Sequence, residues 1–208
     1  ATPDMWADRI EGETRDGFGF ILKDHVNDIG YQSITAPGSL KAYYEAHCDY
    51  GVLDWKTILQ PAIEYAENGW VVRPHVNFWW SIKNHFGRTP NPDRVKFSKS
   101  GRDLYCDAQG NLKVVGDKVV NNDLADTLKR IAKNGADIFY SGDIAHEIID
   151  DMNSNSALLT FNDLKNYQTK RSSPLWGNYR NYDIATNNPP GGGIMLIQML
   201  NILENFDL

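Results

Sequence analysis

The chain has 208 residues, 41 % of them apolar, and carries a formal net charge of −6. That is enough apolar material for one large folded domain or two small ones. The acidic balance argues against nucleic acid as the main partner, because phosphate binding needs concentrated positive charge.

The short basic clusters, Lys165 to Arg171 and Arg130 with Lys133, read as solvated faces. Cys48 and Cys106 form no CxxC pair, which removes zinc-ribbon and thioredoxin readings, and their spacing does not decide whether they bond to each other. No basic segment leads into an apolar one at the start, so a signal peptide is expected to be absent or already removed. The opening Ala1 is expected to lie downstream of the start codon. The run GGGIMLIQMLNIL is too short for a membrane span and contains Gln198 and Asn201.

In chain order, residues 1–37 read as an irregular N-terminal segment, with FGFIL as a candidate strand. Residues 38–208 read as a helix-rich core with short strands, expected to be one domain. Pro37 and Gly38 break the chain, and Ser39 is placed to cap a helix that carries Leu40, Tyr43, Tyr44 and His47 on one face and ends at Gly51. Asp54 caps a second helix with Trp55, Ile58, Leu59, Ala62 and Ala66 at helical spacing. Pro61 is expected to kink or split it, and Gly69 to close it, giving a packed pair of helices. WVV reads as an entry strand or turn, HVNFWWSIKNHF as an aromatic-rich helix, and GRTPNPDR as a loop. DLYCDAQGNLKVVGDKVV reads either as two short strands around Gly110 and Asn111 or as an ordered loop.

The clearest helix follows. Asn122 is expected to cap it, Leu124, Thr127, Leu128, Ile131 and Ala132 to form its inner face, and Gly135 to end it. DIAHEIIDDM predicts a helix burying Ile144, Ile148 and Ile149. Thr160 and Asp163 have capping-box spacing. LWGNYRNYDIAT reads as a strand or hairpin arm. The final segment, Ile194 to Leu203, is apolar on nearly every side, which predicts a helix buried at the centre of a larger molecule.

Chemistry-bearing residues are sparse. Glu64 and Glu67, like Asp150 and Asp151, read as surface charge rather than acid–base pairs, and no calcium-loop motif occurs. His25, His47, His75, His85 and His146 contain no pair at zinc-ligand spacing, so no metal site is expected. Phe78, Trp79 and Trp80 read first as packing aromatics and second as a stacking platform for sugar. No serine has a G-x-S-x-G surround. Ala1 lacks a hydroxyl, and the nitrogen of Thr2 is in a peptide bond, so neither is an N-terminal nucleophile. Gly191, Gly192 and Gly193 before the last helix read as a tight entry for close backbone approach, with an anion-facing amide turn as the second reading.

Three blocks of sequence resemble the large subunit of gamma-glutamyltranspeptidases. They are PGSLKAYYEAHCDYGVLDWKTILQPAIEYAENGWVV, NNDLADTLKRIAKNGADIFYSGDIAHEII, and the stretch from LLTFNDLKNY to PPGGGIMLIQMLNILENFDL. Together they cover most of the chain from Pro37 onward, in family order. The resemblance implies an α+β fold of the N-terminal nucleophile hydrolase type, an αββα sandwich that is incomplete and helix-rich here. It implies a precursor that cuts itself in two, with a threonine at the new N-terminus attacking a gamma-glutamyl amide, usually glutathione, without a cofactor.

By the same resemblance the nucleophile and oxyanion donors lie beyond Leu208, and the arginine that holds the substrate carboxylate lies before Ala1. Arg9 and Arg15 do not match that arginine's motif position, and no catalytic residue is assigned to this chain. The expected partners are the rest of the large subunit and the small catalytic subunit, and the expected location is periplasmic or secreted. Two departures bear on substrate: residues 7–32 are less family-like, and glycines stand where the family often has serines. The alternatives are a related beta-lactam side-chain acylase and a noncatalytic sugar- or peptide-binding module built on Phe78, Trp79 and Trp80.

Overall fold

The computed structural model describes residues 2, 4–83 and 86–207. The chain divides into two compact units, Ala1–Gln168 and Thr169–Leu208.

In the first unit, β1 (Ile10–Glu13) pairs antiparallel with β2 (Phe20–Leu22), so the expected strand at FGFIL has a partner upstream. Thr14 at the end of β1 is buried, and its hydroxyl donates to Asp16 at 2.7 Å. α1 (Ser39–Tyr50) starts at Ser39 itself; Gly38 occupies the cap position, and no side chain caps the helix. α2 (Trp55–Asn68) is capped by Asp54, which accepts from the Thr57 amide at 3.2 Å. Pro61 lies inside α2, and the helix runs through it. Proline removes one amide donor there, and burial of Ile63 and Ala66 just beyond it carries the helix on.

α2 packs along its length on α6 (Asn122–Asn134), far along the chain, while its sequence neighbour α1 meets it only at Trp55, where Tyr44 and His47 lie at ring-centroid distances of 4.9 Å and 5.2 Å. Ala125 and Ile131 of α6 are buried, as are Ile63 and Ala66 of α2. The Trp55 indole donates to the Ile131 carbonyl at 3.3 Å, and the Asn121 amide to the Ala66 carbonyl at 2.9 Å. Each end of α2 therefore meets the opposite end of α6. Asn121, not Asn122, caps α6 by accepting from the Leu124 amide, and Gly135 leaves the helix with a φ of 77°.

β3 (Trp70–Val71) leaves α2 and pairs antiparallel with β4 (Lys118–Val119). Between them lie α3 (Pro74–Ser81), α4 (Asn91–Val95) and α5 (Lys99–Tyr105). α4 falls where a loop was expected; α5, capped by Ser98, takes only the first three residues of the stretch read as strands or a loop, and beyond it Cys106 bridges Leu112 antiparallel around Gly110 and Asn111.

After α7 (Asp137–Tyr140), α8 (Asp143–Ser154) buries Ile144, Ala145, Ile149 and Met152, with Ile148 half-buried. Ala145, Ile149 and Met152 meet Leu159 and Leu164 in an apolar core, with Tyr31, Ala36 and Phe161 packed against it. Leu164 arrives on α9 (Phe161–Lys165), which opens with the expected capping box: Asp163 accepts from the Thr160 amide at 2.8 Å while Thr160 accepts from the Asp163 amide.

In the second unit, β5 (Leu175–Tyr179) and β6 (Tyr182–Thr186) form a hairpin in register from Leu175 opposite Thr186 to Tyr179 opposite Tyr182. Arg180 and Asn181 make the two-residue turn with φ of 45° and 68°, the left-handed pair that matches strand twist. α10 (Gly193–Leu203) lies on this hairpin. Gly177 permits the approach, since a Cβ there would fall 2.9 Å from Ile197. Each of the three sheets has two strands among the described residues, so each strand keeps one edge unpaired.

Candidate functional site at the glycine turn before α10

The turn begins where β6 ends at Thr186 and runs through Asn187, Asn188, the cis Pro189–Pro190 bond and Gly191 to Gly193. Asn188 fastens it by donating from Nδ2 to the Ser173 carbonyl at 2.6 Å, and its own carbonyl accepts from the Gly191 amide at 3.0 Å. None of the three glycines occupies the left-handed region, so their role is space rather than backbone conformation. A Cβ on Gly193 would sit 2.2 Å from the Asn187 carbonyl and 2.6 Å from Thr186 Oγ1. A Cβ on Gly191 would fall 1.9 Å from Asn187 Nδ2, whereas one on Gly192 would meet nothing within 4 Å.

α10 has no side-chain cap. Its first turn therefore presents backbone N–H groups at the positive end of a helix dipole, an arrangement suited to an anion or a developing oxyanion. The turn holds no carboxylate, histidine or thiol. It can position and polarise, and it supplies neither a nucleophile base nor a proton relay. Beyond the turn, α10 exposes apolar side chains: Met195 is 62 % exposed and Ile202 57 %.

The other candidates are dispersed. Glu64 accepts from Gln60 at 3.0 Å and Glu67 pairs with Lys129, so each is engaged away from the other. Asp151 accepts from Asn155 at 3.2 Å, and Asp150 is exposed. His47 contacts the Leu53 carbonyl at 2.7 Å, and His146 stacks on Phe161 with ring centroids 4.6 Å apart. His25 lines a small cavity of about 150 Å³ with Asn27 and Arg88, His75 is exposed, and His85 lies outside the described residues. No cluster of three His, Cys, Asp or Glu side chains able to hold a metal occurs among the described residues. Cys48 is exposed, Cys106 is buried, and both are free thiols.

Trp80 packs edge-on against Trp70 and Tyr105, at 6.0 Å and 5.2 Å, while Phe78 and Trp79 are 63 % and 58 % exposed. The neighbouring indoles thus serve different surroundings and form no shared platform. Arg9 closes a short 3-10 turn, and the Arg15 amide donates to the Phe86 carbonyl at 3.0 Å.

Sequence reasoning missed two ion pairs that fix the loop around residues 86–94. Arg88 pairs with Asp16 at 3.0 Å. The Thr14 hydroxyl, the Phe18 amide and Arg88 hold the Asp16 carboxyl below the usual range. Arg94 pairs with Asp28, which also accepts from the Thr89 amide at 2.6 Å. Burial pushes the Asp28 carboxyl up, but the Thr89 and Arg94 donors outweigh it and hold it low. The turn Thr14-x-Asp16 was the one local signal for the first pair; the second joins positions 66 apart and left none.

Solved structures are similar to this chain. The gamma-glutamyltranspeptidase of Helicobacter pylori superposes with a TM-score of 0.81 at 29 % identity, over 100 % of this chain and 55 % of that one. The gamma-glutamyltranspeptidase of Pseudomonas nitroreducens gives 0.75 at 28 % identity, over 98 % of this chain and 55 % of that one. The chain thus has the helix-rich portion of an αββα N-terminal nucleophile hydrolase fold, with its sheets incomplete.

The sequence model described as Gamma-glutamyltranspeptidase matches residues 13–208, and the chain belongs to that family. It is 35 % identical to the glutathione hydrolase proenzyme of Escherichia coli (strain K12), over 94 % of this chain and 33 % of the relative. It is 34 % identical to the acylase ACY 1 proenzyme of Pseudomonas sp. (strain SE83), over 100 % of this chain and 35 % of the relative. The chain therefore spans about a third of the length of these curated relatives. No helix among the described residues is long and apolar enough to cross a membrane.

Proposed function

We propose that the complete protein is a gamma-glutamyl amide hydrolase and transferase, and that residues 1–208 are its scaffold rather than its catalyst. The observation that carries this reading is the family match over residues 13–208, which includes the glycine turn and α10. The nucleophile is an N-terminal threonine freed by self-cleavage outside this stretch, activated by its own α-amine. Rate enhancement comes from that positioned nucleophile and from oxyanion donors, with no metal or organic cofactor. The glycine turn at Gly191–Gly193 borders the site, and the exposed face of α10 receives the remainder of the protein. The reaction takes place outside the cytoplasm.

The test is hydrolysis of a chromogenic gamma-glutamyl anilide by the complete protein and by residues 1–208 alone. The complete protein is expected to turn over and the 208-residue piece to be inert. Turnover by the piece overturns the scaffold assignment.

A second reading has its own support: the match to the ACY 1 acylase, and a TM-score of 0.72 at 29 % identity with the cephalosporin acylase of Bacillus halodurans. On that reading the same threonine chemistry removes a beta-lactam acyl side chain. Competition between the anilide and an acylated cephalosporin decides it, since the preferred substrate has the higher kcat/KM.

A further inference from the structure

We draw no further inference here: the strongest candidate, the exposed surface patch that Phe78 and Trp79 make on α3, is an unpartnered apolar face, and nothing in the structure shows what covers it.

Discussion

The hydroxyl of Tyr140 donates to the Pro37 carbonyl at 2.6 Å and accepts from the Lys41 amide at 3.0 Å. One buried side chain thus ties the end of α7 to the start of α1, 103 positions away. Lys41 completes the knot: its ammonium lies 5.3 Å from the Tyr140 ring centre and donates to the Tyr167 carbonyl at 2.8 Å.

Tyr140→Phe keeps the ring and removes both bonds. The Lys41 amide and the Pro37 carbonyl then lose their partner, at a cost of about 1–3 kcal/mol. A chemical denaturation midpoint that falls, with an unchanged slope, is the expected result.

The three glycines before α10 are expected to respond unequally. Gly193→Ala drives a methyl into the Asn187 carbonyl at 2.2 Å, and backbone cannot yield as a side chain does, so a loss of about 1–3 kcal/mol is expected. Gly192→Ala meets open space at a φ of −74°, and is expected to be neutral or to stabilise by about 0.4–1 kcal/mol. Thermal midpoints of the two variants, measured side by side, check the order.

Acid should release the loop that Asp28 clamps. Burial raises this carboxyl, the Thr89 and Arg94 donors lower it further, and the net direction is down from 3.8. A carboxyl depressed in the folded state contributes its stability above the unfolded value. That contribution is lost as the pH falls below 3.8 through the folded value. Asp28→Asn is expected to flatten the acid limb of a stability–pH curve, and an unchanged limb would falsify the assignment.

The helical elements were legible where their signals were local. The Thr160–Asp163 capping box and Gly135 each need only neighbours within a turn, and both were read correctly. α4 and α5 were missed because they are only five and seven residues long, and the proline of the one and the serine and glycine of the other are loop-forming residues. Proline in the first turn of α4 and Ser98 before α5 were nevertheless ordinary helix starts. The inner face of α2 was read as Trp55, Ile58, Leu59, Ala62 and Ala66; Ala66 is buried, but Ile58 and Ala62 are exposed and Ile63 is buried, and α6, more than fifty positions on, decides that rotation.

The candidate site was legible only as an oddity of composition. Pro-Pro-Gly-Gly-Gly marks a turn, yet nothing in it separates Gly193, which the Asn187 carbonyl requires, from Gly192, which nothing here requires. That distinction comes from how β6 brings Thr186 and Asn187 against the helix entry.

The exposed side of α10 carries the last expectation. Met195→Glu places a carboxylate at a position 62 % open in this chain, so the folded 208-residue piece should tolerate it within about 0.5 kcal/mol. If the rest of the protein covers that side, the same change leaves a buried unpaired charge and costs several kcal/mol. Comparing gamma-glutamyl anilide turnover of the complete variant with the melting of the piece separates the two situations.

The hairpin of β5 and β6 has a practical consequence for anyone handling the piece by itself. Two ladders' worth of bare N–H and C=O groups flank five-residue strands, and Trp176 and Tyr182 stand out from them. Such margins recruit strands from other molecules, and neither strand carries a proline to discourage it. Turbidity in concentrated stocks would then report sticky borders between copies, and a lysine or proline placed there is the remedy to try before a change of buffer.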